Sequence, residues 1–370
     1  MSIKQQIRFI AKEKTDFLEI LRSRVDAYFQ ENKISKNADM QMVVKTIVLL
    51  AGYIIPFVLL LALQPVFYLS ILLWIIMGIS VAGIGMSIMH DANHGSYSEN
   101  TSTNEWLGHS LNLIGGSVLN WKLQHNILHH TYTNIAGMDD DIQDRKILKM
   151  SPHYLTKAFH KFQKYYAFFF YGIITLYWVF VKDFVQLGAF AKSGVNKATP
   201  KEMRVMLFRI LLDKAIYIFA IVCVPILYFN IPVWQVLIGF FMMHFFAGII
   251  LTVVFQLAHT VEDAAFPLPT ANGTIENNWA IHQLNTTVNF SPKNKWISWY
   301  VGGLNYQVEH HLFPKVCHVH YPQIAPIVEA TAREYGVPYL VNETFIKAFK
   351  SHVAVLGKFG KMPSLNDAIG

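Results

Sequence analysis

The chain has 370 residues, of which 53% are hydrophobic, 14% aromatic and only 15% charged, with a formal net charge of +7 and a mean hydropathy of +0.31. Soluble domains carry about 25% charged residues, so this composition excludes disordered, collagen-like and small disulfide-stapled proteins and points to a chain solvated largely by lipid. Two cysteines, Cys223 and Cys317, cannot build a disulfide framework or a four-thiolate metal site, whereas 16 histidines are costly in hydrocarbon unless each has a partner or a task.

In chain order, Ile7, Phe9, Ile10, Phe17, Leu18, Leu21 and Val25 recur among lysines and arginines, which predicts an amphipathic helix on the membrane surface within a cytoplasmic segment 1–45. Residues 46–89 contain no Asp, Glu, Lys or Arg and break only at Gln64 and Pro65. A helix rises 1.5 Å per residue, so this run makes two spans of a ~30 Å hydrocarbon core, 46–63 and 66–89. Residues 107–120 are short and interrupted by Gly108, Asn112, Gly115 and Gly116, as in a half-inserted helix. Residues 165–181 are uncharged and aromatic but too few for a comfortable crossing, which predicts an interfacial or re-entrant helix. A second hairpin follows, with spans 210–229 and 233–258 about the turn at Asn230, Ile231 and Pro232.

All 31 Lys and Arg lie in residues 1–45, 90–214 or 262–370. The positive-inside rule therefore puts the N-terminus, the middle segment and the C-terminal tail 341–370 in the cytoplasm, around one domain at 46–340. The expected fold class is an all-α integral membrane protein of two transmembrane hairpins with a histidine-rich cytoplasmic di-metal region. The basic face suits anionic lipid or an acidic protein partner; no nucleic-acid partner is expected. No cleavable signal peptide is expected, because the first apolar run begins only after about 40 residues rich in charge.

Three histidine clusters follow apolar segments. In His90-Asp91-Ala92-Asn93-His94 the histidines at i and i+4 share a helical face, the spacing two nitrogen donors need to meet one ion. In His125-Asn126-Ile127-Leu128-His129-His130 the last histidine points about 100° from its neighbour on an α-helix, toward a second ion. In Gln307-Val308-Glu309-His310-His311 the positions i, i+3 and i+4 again line one face. His259, at the end of the last span, lies at the same membrane depth. Eight histidines with Gln307 match the donors that two ions with open positions require, and imidazole without thiolate suits iron, copper, zinc or nickel.

The order HDANH, HNILHH, QVEHH resembles the three histidine boxes of the membrane fatty acid desaturases, and the glutamine opening the third box resembles their front-end branch. The similarity extends through Trp279-Ala280-Ile281-His282-Gln283, Asn289-Phe290 and the run from Gly302 to Pro314, and covers most of residues 45–340. The resemblance implies a di-iron enzyme that uses dioxygen to remove hydrogens from adjacent carbons of a fatty acyl chain held as acyl-CoA or acyl-lipid. It implies His90, His94, His125, His129, His130, His310 and His311 as ligands, with His259 and Gln307 completing the set. Asp91, Asn93, Asp139, Asp140, Asp141 and Glu309 are candidates to hold ligand N–H groups, and His282 is weighed as a further donor. His109, His153, His160, His318, His320 and His352 are read as surface or interfacial, so replacing His352 should change neither product nor iron. His244, mid-span, is read as a hydrogen-bonded residue facing the bundle interior.

Many front-end members carry a fused b-type cytochrome marked by His-Pro-Gly-Gly, which this sequence lacks. Electrons are therefore expected from a separate ferredoxin or b-type cytochrome, an arrangement leaning toward a bacterial cell membrane. Trp74, Met77, Tyr217, Met242 and Phe246 are candidate tunnel residues. The nearest rival activity is hydroxylation at the same kind of site, and a metal transporter or haem carrier is the rival of another class.

Overall fold

The computed structural model describes residues 7–10, 15–143 and 146–363, and the chain is mostly helical. Five of the described helices are long and apolar enough to cross a membrane: Met40–Leu63, Phe67–His94, Ala158–Lys192, Pro200–Leu227 and Val233–His259. Their ends follow local chemistry. Asp39 caps the first by accepting from the Met42 amide at 3.0 Å, and Gln64 closes it in a left-handed conformation before Pro65. Thr199 and Glu202 form a reciprocal capping box, with Pro200 in the first turn, where its missing N–H costs nothing. Asn230, with φ of 53°, turns the chain into the last long helix. Gln64 also donates to the Phe229 carbonyl at 2.7 Å, so the two hairpin turns meet at one end of the bundle.

Small residues set the close approaches that hydrocarbon-solvated helices rely on. Gly78 lies against the Met243 backbone, Gly239 under the Trp74 indole, and Gly248 against the Tyr171 and Gly172 carbonyls. Ile47, Ile54, Leu72, Phe208, Leu211 and Leu237 face outward, as lipid-facing side chains do. Trp74, Met77 and Tyr217, read as candidate tunnel residues, pack together in the largest buried cluster.

Around 165–181 the helix is longer than the uncharged run, because it continues through Lys161 and Lys164 on one side and Lys182, Asp183 and Lys192 on the other. Gln163 at its start bonds the Lys149 backbone and the Leu356 carbonyl, while Gln186 near its end bonds Gln124 and Asp140. A π-helical turn, Trp178–Lys182, falls between them. The buried pair Lys214–Asp183, at 2.7 Å, ties that turn to the neighbouring long helix.

The N-terminal stretch differs from the single amphipathic helix expected. Arg8–Phe9 is a short strand paired in parallel with Thr274–Ile275, and the helix begins only at Phe17. Its stripe of Phe17, Leu21, Val25 and Phe29 is buried against Tyr321, Ile324 and Val328 of Tyr321–Glu334 rather than in a membrane surface. Hydrophobic periodicity reports that a face is covered, not by what. Residues 341–370, expected as a tail, contain the pair of Asn289–Phe290 with Val341–Asn342 and the helix Phe345–Phe359, which packs on Ala158–Lys192 and Val233–His259.

Gly302 locks the loop before the third histidine cluster onto the helix before the first. Its φ is 63°, and a Cβ there would overlap the Met86 carbonyl oxygen in the π-helical turn Ile84–Ile88. Gly302→Ala is expected to cost at least about 1–3 kcal/mol from backbone strain alone. Thermal unfolding in detergent reads it, and an unchanged midpoint would refute this role.

Candidate metal centre

Each histidine cluster sits where an element ends near the same end of the bundle. His90 and His94 occupy the last turns of Phe67–His94, which Gly95 terminates with φ of 74°. His259 is the final residue of Val233–His259. His310 and His311 lie on the short helix Gln307–Leu312. The middle cluster is built differently from the expectation. Lys122–His129 is π-helical, continued by His130–Tyr132. Its i→i+5 bonding brings residues five apart nearly one above the other, so His130 turns toward His125 instead of away, with their Nε2 atoms 3.2 Å apart.

Among the donor groups whose ligand atoms lie within 4.8 Å of one another, two adjoin, His90, His94, His125 and His310 in one and His129, His259 and His311 in the other, with His125, His129 and Asp141 grouped across them and Asp91, Cys317 and His318 grouped apart. His130 joins His310 and His311 in a third grouping at the boundary. The Nε2 atoms of His94, His129, His259, His310 and His311 are buried with no hydrogen-bond partner. Gln307, beside His259, is also buried with neither amide atom in hydrogen-bonding geometry. Buried polar atoms normally find partners, so this converging set of orphaned nitrogens fits bound metal, and imidazoles with outer carboxylates suit a first-row transition ion.

The outward ring nitrogens are held. Asp139 approaches His129 Nδ1 with both oxygens at 3.2 Å, and Asp141 lies at 3.3 Å. His311 Nδ1 donates to Gln283 Oε1 at 2.8 Å, His259 Nδ1 to the Thr286 carbonyl at 3.3 Å, and His310 Nδ1 meets the Tyr321 hydroxyl at 3.2 Å. These contacts leave Nε2 free to point inward and fix the tautomer that ligation needs. Burial, with neighbouring imidazoles, holds His125, His130, His310 and His311 well below the usual histidine range, so they remain neutral donors. Burial opposes charge on His129 too, but Asp139 and Asp141 more than offset it and raise its pKa.

The other candidates divide. Asp91 serves mainly His318, whose Nδ1 is 2.7 Å from Oδ2, while His90 Nδ1 is 3.7 Å from Oδ1; Lys45 meets the far side of His318 at 2.6 Å. Asn93 donates to the Gly108 carbonyl, Asp140 accepts from Gln186, and Glu309 accepts from Asn289 and Tyr339. Burial pushes the Glu309 carboxyl up to about 7. His282 belongs to neither donor set. His244 pairs with the Tyr217 hydroxyl at 2.8 Å inside the bundle.

Four histidines expected at the surface are buried: His160, His318, His320 and His352. His109 is exposed and His153 half-buried. The reason is tertiary: the segments carrying them fold back onto the bundle, and His352 bridges the Thr260 carbonyl at 2.7 Å and the Tyr171 hydroxyl at 2.9 Å. Gln283, Tyr321 and Thr133 escaped the sequence reading. Gln283 stood one position past His282 in a quoted segment, but nothing local told which of the two faces the site.

Residues 66–342 match the model of the fatty acid desaturase family. The chain belongs to that family. It is 37% identical over 347 residues to an sn-1 linoleoyl-lipid 6-desaturase of Arthrospira platensis, covering 94% of this chain and 93% of the relative. It is 35% identical to the enzyme of the same name from Synechocystis sp., covering 96% and 98% of the two chains. An acyl-lipid (8-3)-desaturase of Physcomitrium patens is 35% identical over 96% of this chain and 74% of its own. The protein is thus a fatty acid desaturase, with helices fit to span a membrane and histidine clusters fit to hold metal.

In this desaturase, Asp139→Asn is expected to weaken metal binding by about 10–100-fold, read by competition with a chelator; full retention would contradict the role given to Asp139. His352→Ala is expected to lower stability by about 1–3 kcal/mol, by leaving two buried groups unpaired, with metal per folded chain unchanged. Loss of metal in that variant would place His352 in the centre.

Proposed function

We propose that the chain is an oxygen-dependent front-end desaturase of glycerolipid acyl chains. Its irons would be held by His90, His94, His125 and His310 on one side and by His129, His259, His311 and Gln307 on the other, with His130 between. The observation that carries this reading is the pair of adjoining imidazole sets with orphaned, inward-facing nitrogens in a chain of this family. The names of the relatives specify acyl-lipid substrates, which favours a glycerolipid over acyl-CoA here.

An unactivated methylene offers no acidic proton and no polarised bond, so acid–base side chains cannot open it. Bound iron supplies, with dioxygen, the oxidising power to take hydrogen from two adjacent carbons, the dioxygen leaving as water with electrons and protons from outside. The chain's own residues hold neutral imidazoles in fixed tautomers. Asp139, Asp141, Gln283 and Thr286 retain the Nδ1 protons of their partners. Phe255 covers His129 and His259, and Trp121 stacks on His125, so apolar rings shield the donors from water.

A four-crossing topology with the centre on the cytoplasmic face fits the contacts. The His129 and His259 rings lie 4.8 Å apart, which supports an even number of crossings between them and so a course in which one of the three long helices does not traverse. Gln163 and Gln186 bond the two ends of Ala158–Lys192 to segments flanking the second histidine cluster, which supports a re-entrant course for that helix. The basic face is then the docking side for a separate carrier, a ferredoxin or b-type cytochrome.

The test is the fatty-acid profile, by gas chromatography with mass spectrometry, of a host expressing the chain with a reductase and carrier and fed candidate acids. A new double bond between an existing one and the carboxyl end is expected, and it should vanish in His310→Ala. A hydroxylated product would move the assignment to an oxygenase, and normal product from His310→Ala would sink the ligand set.

A further inference from the structure

A pocket of about 280 Å³ lies between the segment that follows His259 and the helix that carries Gln283. Its walls include Thr270, Thr274, Asn277, Asn285 and His282, with Glu276 as the charged member, and neither Lys nor Arg is among its ten lining residues. Hydrogen bonds tie its walls to segments that carry the candidate ligands. Ala265, on the lining, donates its amide to the Asn285 carbonyl at 2.8 Å, and Asn134 donates to the carbonyls of both His259 and Ala265. His282 precedes Gln283, which accepts from the His311 ring.

His282 is the informative residue. Its side chain is 2% exposed, yet Nε2 has no hydrogen-bond partner. The Phe9 ring packs on it at 5.0 Å, holding the imidazole in place. Burial lowers its pKa to about 4, so it presents a neutral nitrogen rather than a cation. The rim is a built turn. Thr270 accepts at its carbonyl from Gly273 and donates its amide to the Thr274 carbonyl at 2.8 Å, and Arg8–Phe9 pairs with Thr274–Ile275.

We propose that this pocket receives the uncharged, hydroxyl-bearing head of the lipid substrate. Amides of Asn277 and Asn285 donate to and accept from alcohol groups, the paired Thr270 and Thr274 hydroxyls and His282 Nε2 offer further hydrogen-bonding positions, and phosphate or coenzyme A calls for cations absent from the ten lining residues. An enzyme that measures from the carboxyl end must hold the head at a fixed distance from its metals, and a pocket whose walls are bonded to the segments carrying His259 and Gln283 offers such a hold. This inference rests on the acyl-lipid desaturase reading and narrows its substrate.

The test is lipid-class-resolved mass spectrometry in a host whose membrane holds both glycosyl- and phosphoglycerolipids bearing the same acyl chains. New double bonds should favour glycosyl lipids by about fivefold or more, the worth of one hydrogen bond, and Asn285→Leu and Asn277→Leu should each bring the ratio toward unity with iron content kept. Should a variant lose iron, Thr274→Val on the rim gives the same readout. Equal product in phospholipids, product confined to acyl-CoA, or a ratio unmoved by all three variants would overturn the assignment. No new double bond in any class from iron-loaded wild type would instead overturn the desaturase reading, and the pocket's role with it.

Discussion

The structure depends on one constraint: a set of imidazoles, stripped of water at the end of an apolar bundle, must all point the same way without hydrogen-bonding one another into a closed network. Each buried polar group left unpaired costs about 1–3 kcal/mol, and the Nε2 atoms of His94, His129, His259, His310 and His311 all stand in that condition. An ion at their focus would make the arrangement favourable and would join metal binding to folding. The outer shell has the complementary duty. Two aspartates on His129, an amide on His311 and a backbone carbonyl on His259 occupy the far nitrogens.

That requirement explains features that look unrelated along the chain. The π-helical turn before His90 and the one carrying His125 and His129 shift side chains off the ordinary α-helical register at the two places where donors must converge. Gly302 lets the loop before the third cluster lie on the first of these turns. His352, on a helix that follows all three clusters, anchors the residue after His259. The membrane helices therefore act as a frame, and the polar segments between and after them close it.

Much of this was legible in the sequence because it is local. Uncharged runs set the apolar hairpins, and the i, i+4 spacing brings His90 and His94 into one donor set, whereas His125 and His129, on a π-helical turn, are parted between the two. What was not legible is what depends on distant contacts. Nothing in the order of residues places His130 on the His125 side, because the turn that does so is π-helical. Nothing separates His318 and His352, both buried, from the exposed His109, since all lack a neighbour at ligand spacing. The stripe from Phe17 to Phe29 read as a membrane face because periodicity cannot distinguish lipid from the helix Tyr321–Glu334.

The central claim is that two adjoining imidazole sets hold two irons. Iron analysis with Mössbauer spectroscopy on protein purified from cells grown with labelled iron tests it most directly. The account predicts about two irons per chain in nitrogen-rich, non-haem environments, falling together with desaturation when His129 is replaced by Ala. A single iron, or a haem signal, would contradict it.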